Sequence, residues 1–400
     1  MLVRRLSLTN FRNFARLEAN LLPGPTLLIG KNAQGKTSLL ESIYYLAGAS
    51  SPHSTSDREL IHFLSLEDAN PFCRLVAEVQ RGDRSHRIEI RLQLEPNGSG
   101  RLRKDVLVNG VSRRVGDLAQ TFNAVMFLPQ DMDLVEGSPG SRRRLMDAVI
   151  RQADPLYQRA LSEYSKALSQ RNALLRSLQV GRRGVEQLDV WDAQLAEHGA
   201  AIMRARILTT QEMESLARPI HDRLTNGREI LRLSYQPAYD PLARGDGQLG
   251  LDLATPVDRS GISQAGLRDG LLAALRRDRS EEIRRGVTRI GPHRDDLRFV
   301  VSGLDLHLYG SRGQNRTAVL STKLAEVDWL HGRTGEWPVL LLDEVLAELD
   351  SDRRTDLLDY VGQVNQAVLT AADIEMFTDD FCDTATLWRV RSGAIEPYKP

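Results

Sequence analysis

Cysteine is nearly absent from this chain of 400 residues: only Cys73 and Cys382 occur, and no metal-ligand spacing relates them. That excludes a disulfide framework and a cysteine-rich zinc site, and it fits a reducing compartment. Long apolar runs are missing as well, since nothing approaches the roughly 18 consecutive apolar residues that cross a bilayer. Residues 1–14 mix Arg and Asn with apolar side chains instead of forming an apolar leader, so a cytoplasmic protein with no membrane partner is expected. An excess of one charge is also lacking: basic and acidic residues number 53 each. Any surface for nucleic acid must therefore be a local patch. Lysine is scarce, confined to Lys31, Lys36, Lys104, Lys166, Lys323 and Lys399. No basic stretch is interleaved with aromatics, which argues against a stacking platform for single strands. No internal repeat is present.

Local patterning supplies the elements. Residues 2–8 read as a strand, and residues 26–29 as a short buried strand running into a glycine-bearing loop and an apolar helix through Leu46. From Arg74 onward to Val111, alternating segments are separated by Arg81-Gly82-Asp83, Pro96-Asn97-Gly98 and Asn109-Gly110, the pattern of an antiparallel meander. After Pro139 the chain turns helical. Tyr157, Leu161, Tyr164, Leu168, Leu175 and Leu178 form a stripe, with Arg171 interrupting one seam position. A break at Gly181-Arg182-Arg183-Gly184 precedes a second stripe of Leu188, Trp191, Leu195 and Ile202, which predicts an antiparallel helical hairpin with Arg182 and Arg183 at its tip. Residues 236–265 read as a long loop or boundary. Strands are expected again at residues 297–301 and 304–308, and a final buried one at residues 339–342.

The string Gly30-Lys31-Asn32-Ala33-Gln34-Gly35-Lys36-Thr37, followed by Ser38, sets two glycines five apart ahead of Lys and Thr, between a strand and a helix. The glycines let the backbone wrap so that its N–H groups face phosphate oxygens, and the helix points its positive end at them. Lys36 reaches the outer phosphates and Thr37 offers a hydroxyl to Mg²⁺. A nucleoside triphosphate with Mg²⁺ is the expected ligand. Hydrolysis needs a carboxylate at the end of a buried strand, and Pro338-Val-Leu-Leu-Leu-Asp343-Glu344 supplies it. Asp343 can hold Mg²⁺ through water, and Glu344 can orient the attacking water.

These two halves stand about three hundred residues apart, so something large is inserted between them. Before the second half comes Tyr309-Gly-Ser311-Arg-Gly313-Gln314-Asn-Arg316, leading into an apolar helix at residues 317–330. A serine, a glycine and unpaired N–H groups at a helix start make a second anion cradle. One triphosphate does not need two cradles from one chain. The economical expectation is that Ser311, Gly313 and Gln314 close over the nucleotide of a second copy in a head-to-tail pair.

This order of motifs resembles the ABC-type ATPases of the SMC-like group, and within it the RecF family of bacterial recombination proteins. Further strings carry the resemblance: Leu8-Thr-Asn-Phe-Arg-Asn-Phe14, Leu39-Leu-Glu-Ser-Ile43, Gly137-Ser-Pro139, Gly291-Pro-His-Arg-Asp-Asp-Leu297 and Ala347-Glu-Leu-Asp350. The resemblance implies an α/β fold, an ABC-type ATPase head with mixed β-sheets around the P-loop helix. The head would comprise residues 1–135 and 287–400, and residues 136–286 an inserted, mainly helical arm with a short helical hairpin. It makes Lys36 the phosphate ligand, Thr37 and Asp343 the Mg²⁺ holders, Glu344 the catalytic base, and Ser311 with Gly313 and Gln314 the signature acting in trans. Asp350 would face the partner's site, and Gln130, after Phe127-Leu128-Pro129, would sense Mg²⁺ and the attacking water. Many ABC-type enzymes place a histidine where this chain reads Thr370-Ala371-Ala372, which implies slow hydrolysis, with nucleotide acting more as clamp than fuel.

The same resemblance implies an ATP-dependent homodimer on double-stranded and gapped DNA, a weak DNA-dependent ATPase, and RecR and RecO as partners. For DNA the sequence offers only arginine clusters: Arg142, Arg143 and Arg144; Arg182 and Arg183; and the arginines from Arg276 onward to Arg298. The alternative of a transporter's ATPase subunit is opposed by the helical insert and by the absence of the usual two-glycine signature.

Overall fold

In chain order the strands are β1 (Leu2–Phe11), β2 (Phe14–Asn20), β3 (Gly24–Ile29), β4 (Phe72–Arg81), β5 (Arg84–Leu94), β6 (Leu102–Val108), β7 (Val111–Ser112) and β8 (Ala124–Phe127). They continue with β9 (Leu231–Gln236), β10 (Asp296–Val301), β11 (Leu304–Asp305), β12 (Val339–Asp343), β13 (Gln366–Ala371), β14 (Thr386–Arg391) and β15 (Ala394–Pro397). The structure is a computed structural model that describes residues 1–54, 56–95, 101–181, 184–242 and 257–398. Arg182 and Arg183, the Pro96-Asn97-Gly98 turn and the middle of the expected long loop lie outside the described residues. Two units are distinguished, Met1–Asp131 with Leu330–Pro400, and Met132–Trp329.

The first unit holds two sheets. One is the antiparallel meander, ordered β2-β1-β4-β5-β6-β7. Its β6–β7 turn is Asn109-Gly110, with φ of 52° and 79°, the left-handed pair that matches strand twist in a two-residue hairpin. Alternation buries Leu6, Leu8, Leu75, Ala77, Ile88 and Ile90 on one face. The strand registers collect Arg5, Arg16, Arg74, Arg87, Arg91 and Arg103 on the other. The second sheet runs β15-β14-β3-β13-β12-β8, parallel except for the β14–β15 hairpin. Val339, Leu340, Leu341 and Leu342 are all buried, as a strand covered on both faces requires. The helix Lys36–Gly48 contributes Leu39, Leu40, Ile43, Tyr45 and Leu46 to a core shared with both sheets. Because the central strands are parallel, the C-terminal ends of β3, β13, β12 and β8 lie along one edge, where an open α/β sheet gathers its ligand site.

The second unit is mainly helical, with Pro139–Ala153, Pro155–Gln179, Leu188–Leu224, Gln264–Arg277 and Arg279–Arg285 beside a small sheet ordered β11-β10-β9. The hairpin stripe differs in detail from the expected one. Along Pro155–Gln179 the buried residues are Tyr157, Ala160, Tyr164, Ala167, Arg171, Leu175 and Leu178, so small alanines replace Leu161 and Leu168 at the seam. The strand expected at residues 304–308 is also shorter. Asp305 accepts a hydrogen bond from the His307 amide at 2.9 Å and caps the helical turn Leu306–Tyr309, which ends β11 after two residues. The helix expected from residue 317 begins at Arg312.

Polar groups are buried in this unit in pairs and clusters. Arg206 donates to Asp147 and Asp295 at 2.8 and 3.1 Å, and Asp295 also accepts from Tyr235 and the Ala238 amide. His293 accepts from Tyr164 and faces the Thr288 carbonyl at 3.1 Å; burial pushes its pKa down to about 4, so it is neutral near pH 7 and its Nε2–H donates to that carbonyl. The two aspartates of the string Gly291-Pro-His-Arg-Asp-Asp-Leu297 are thus spent on internal partners, Asp295 on Arg206 and Asp296 on Arg142, while Arg294 is exposed.

Candidate nucleotide site

The loop after β3 is shaped by close approach. At Gly35, with φ 114°, a Cβ would sit 2.5 Å from Asn13 Nδ2, and at Gly30 one would sit 2.5 Å from the Val390 carbonyl oxygen, so neither position accepts a side chain. The helix begins at Lys36 with no side-chain cap, leaving its first N–H groups for an anion. A cavity of about 530 Å³ is walled by Asn32, Ala33, Gly35, Lys36, Thr37 and Ser38 on one side and by Arg12, Asn13, Glu59, Ile61, Phe63 and Glu344 on the other.

Folding brings the distant acids to this loop. Thr37 Oγ1 donates to Asp343 Oδ2 at 2.8 Å across 306 residues of sequence. Lys36 Nζ pairs with Glu344 at 3.0 Å and donates to the Gly30 and Lys31 carbonyls at 2.6 and 3.2 Å. Glu344 has φ 52° and ψ 15°, a left-handed backbone that is costly for a residue with a Cβ and recurrent at functional sites. Asp343 is buried, whereas the Glu344 side chain is 34% exposed.

Not every expected ligand lines the cavity. Gln34 faces the other way: its side-chain oxygen accepts from the Ser392 amide at 2.8 Å, and its carbonyl accepts from Asn13 Nδ2 and the Gly393 amide at 3.0 and 3.1 Å. Gln34 is a brace that ties the loop to the β14–β15 turn. Gly30 and Lys31 are likewise outside the wall and contribute carbonyls to Lys36. Gln130 is exposed in the turn after β8 and is not in the wall. Asp350 caps the helix Ser351–Val361, accepting from the Arg353 amide at 3.0 Å, while its side chain stays 55% exposed.

The brace makes a prediction. Gly393 has φ 74°, and a Cβ there would meet the Asn13 carbonyl oxygen at 2.6 Å, a backbone atom that cannot swing away. Gly393→Ala is expected to shift the turn off Gln34 and weaken ATP binding by about tenfold, the effect of strain in the 1–3 kcal/mol range. Titration with a fluorescent ATP analogue measures it, and wild-type affinity would show that the brace does not shape the loop.

Ser311, Gly313 and Gln314, expected as the signature, belong to the second unit. Ser311 Oγ accepts from the Gln314 amide at 3.2 Å while Gln314 Oε1 accepts from the Ser311 amide at 3.1 Å, a reciprocal capping box. Ser311 and Gly313 are exposed, and Gln314 Nε2 donates to Glu229 at 2.9 Å.

Sequence reading overlooked several residues. Arg12, held to Glu41 by hydrogen bonds of 2.8 and 2.7 Å, and Asn13 come from the Asn-Phe-Arg-Asn string, which signalled family but no role. Phe63 is 65% exposed at the cavity and stacked on His62. Thr370 joins the two acids.

The arginine clusters fare differently. Arg142 is buried in a bidentate pair with Asp296 at 2.7 and 3.0 Å, and Arg143 donates to the Asp295 carbonyl at 2.6 Å. Only Arg144 of that trio is exposed. Farther on, Arg279 is bound to Asp189 and Asp192, Arg284 and Arg285 to Glu281, and Arg298 to Asp305.

A parallel sheet with a phosphate loop at one strand end and an Asp-Glu pair at the next-but-one defines a P-loop ATPase of the ABC type. The chain belongs to the RecF/RecN/SMC N terminal domain family, which matches residues 2–392, and within it to the RecF ATPases. It is 41% identical to the DNA replication and repair protein RecF of Roseiflexus castenholzii, over 99% of this chain and 100% of that one. The RecF of Bacillus subtilis is 37% identical over the same shares. Among solved structures, the recombination mediator protein RecF-ATP of the RecFOR pathway superposes with a TM-score of 0.84 at 27% identity, covering 99% of this chain and 97% of that one.

Proposed function

We propose that this chain is an ATP-dependent DNA-binding protein of recombinational repair and replication restart, in which ATP drives two copies to close on double-stranded or gapped DNA and slow hydrolysis releases it. The observation that carries the reading is the Thr37–Asp343 hydrogen bond of 2.8 Å, which joins the phosphate loop to the acidic strand in one cavity. Lys36 binds the outer phosphates, exchanging its carbonyl partners for them. The hydroxyl of Thr37 and the carboxylate of Asp343 are hard oxygen donors side by side, which fits Mg²⁺. Bound there, the ion neutralises charge on the β- and γ-phosphate oxygens. Glu344 accepts a proton from the attacking water, and Gln130 senses both ion and water. Ser311, Gly313 and Gln314 engage the partner's nucleotide through their exposed cap, with Asp350 facing that site.

For DNA, the solvent face of the meander is the better surface. Its arginines outnumber the acids among them, Glu18, Glu78, Glu89 and Asp105; Arg5 pairs with Glu18 and Arg103 with Asp105, and Glu89 is shared by Arg74 at 2.7 Å, Arg91 at 2.6 Å and Arg87 at 3.5 Å. The hydrogen bond from Arg74, ahead of that from Arg91, holds the Glu89 carboxyl down at about 2. Arg74 and Arg91 are also direct cross-strand partners, a like-charge pairing that costs stability. Such a surface suits a phosphate backbone. RecR and RecO are partners by kinship.

ATP, but not ADP, is expected to convert the protein from monomer to dimer and to retain labelled duplex on gel filtration. Arg74→Gln with Arg91→Gln should flatten the salt dependence of DNA binding by up to about two in slope. A protein that stays monomeric with ATP defeats the shared-site reading; an unchanged slope moves the DNA elsewhere.

A further inference from the structure

We infer that Thr370 is the positioning residue of the hydrolytic site, a hydroxyl that fixes the Mg²⁺-holding carboxylate and the backbone of the catalytic base to one another. The inference rests on the reading of Asp343 and Glu344 as metal-holding and catalytic acids. Thr370 is the penultimate residue of β13, the strand between β12 and β3, and its register partners are Asp343 on one side and Leu28 on the other. It is 2% exposed and outside the cavity wall, so its contacts are to the acids. Its single proton is donated to Asp343 Oδ1 at 2.8 Å, and its oxygen accepts the Glu344 amide at 2.9 Å.

Those two bonds complete a chain that converges on Asp343. The Glu344 N–H donates to Thr370, Thr370 donates to one oxygen of Asp343, and Thr37 donates to the other oxygen at 2.8 Å. The Glu344–Thr370 bond polarises the Thr370 hydroxyl toward Asp343, and the two threonine hydroxyls hold the carboxylate between the base and the phosphate loop. The bond at the Glu344 amide matters for conformation. Glu344 is held at φ 52°, where a residue with a Cβ persists only if its surroundings over-determine it. Thr370 is one of those surroundings, and the left-handed turn sets Glu344 beside Lys36 at 3.0 Å. A β-branched side chain in a strand has little χ1 freedom, which keeps the hydroxyl aimed.

Thr370→Val keeps the shape and removes the hydroxyl; Thr370→Ser keeps the hydroxyl. The valine variant is expected to leave the KM for ATP within about twofold of wild type, because the phosphate loop is untouched, while kcat falls about tenfold or more. In a separate equilibrium measurement without turnover, the Mg²⁺ concentration that half-saturates the Mg²⁺-dependent binding of a fluorescent ATP analogue rises about tenfold, the effect of one lost hydrogen bond to a charged group. The serine variant recovers both within about threefold. If the valine variant loses folded stability in a thermal melt, Thr370→Ala takes its place against Thr370→Ser. Hydroxyl-free and hydroxyl-bearing variants with equal kcat and equal Mg²⁺ dependence overturn the proposal. Asp343→Asn and Glu344→Gln run alongside: wild-type hydrolysis in these two would instead overturn the reading of the acids.

Discussion

Glu344→Gln is expected to lower ATP turnover by about 10²–10⁴-fold, the usual contribution of a positioned general base, while ATP binding stays intact or tightens. The direction of the binding effect follows from the Lys36 ammonium, which is shared among the Gly30 and Lys31 carbonyls and the Glu344 carboxylate. A glutamine has the same shape but no charge, so an incoming phosphate no longer competes with a carboxylate for the lysine. Lys36→Ala removes the proposed phosphate ligand and is expected to act on binding. Steady-state phosphate release and equilibrium titration separate the two variants. The Glu344→Gln protein should also accumulate as an ATP-bound dimer, because the step that opens the pair is the one removed. Turnover near wild type would mean that another group takes the proton. Loss of binding along with turnover would mean that Glu344 mainly holds the loop in shape.

The phosphate loop was legible because its chemistry demands backbone freedom and fixed residue types over eight consecutive positions, and such a demand is local. The acidic strand was legible because a buried parallel strand must be uniformly apolar and must end where its ligand sits. The helical hairpin followed from apolar spacing together with the glycine break at Gly181 and Gly184, although spacing put Leu161 and Leu168 where Ala160 and Ala167 are buried. What escaped depends on partners that spacing cannot name. Gln34 reads as one more loop residue, and its role as a brace depends on Ser392, 358 residues away. Thr370 reads as a departure from a family pattern, and only the β12–β13 register reveals that it faces Asp343. Arg142 reads as part of a basic cluster, and only the fold supplies Asp296 to neutralise it. Charges along a sequence carry no record of which are already paired or which share a face, so the arginine-rich side of the meander emerges only from the strand register.

The strand expected at residues 304–308 failed for a related reason. Its apolar residues are compatible with either element, and the Asp305 carboxylate, by capping the next turn, decided for helix. A side chain that bonds its own backbone overrides a short periodic pattern. At Arg171 the pattern held and the chemistry was hidden: spacing put an arginine on the seam, and the structure shows why it can stay there.

Arg171→Met is expected to destabilise the second unit by about 3–5 kcal/mol, the range seen when one partner of a buried ion pair is removed. Arg171, Asp192 and Glu282 are all 0% exposed. The guanidinium reaches Asp192 at 2.6 Å, Glu282 at 2.7 Å and Thr288 Oγ1 at 2.8 Å, and so joins the helices Pro155–Gln179, Leu188–Leu224 and Arg279–Arg285. Methionine fills similar space but leaves two carboxylates. Asp192 would keep Arg279 at 2.5 Å, whereas among the described residues Glu282 would keep the Arg289 amide at 2.6 Å and no cation. The uncompensated charge on Glu282 therefore dominates the cost, and Arg171→Met combined with Glu282→Gln should be more stable than Arg171→Met alone. Urea unfolding of the three proteins tests the ordering. If the single variant falls within about 1 kcal/mol of wild type, an ordinary substitution effect, the arginine is a tolerated seam residue and not the centre of the hairpin; if the second substitution brings no recovery, the loss lies in packing and not in charge.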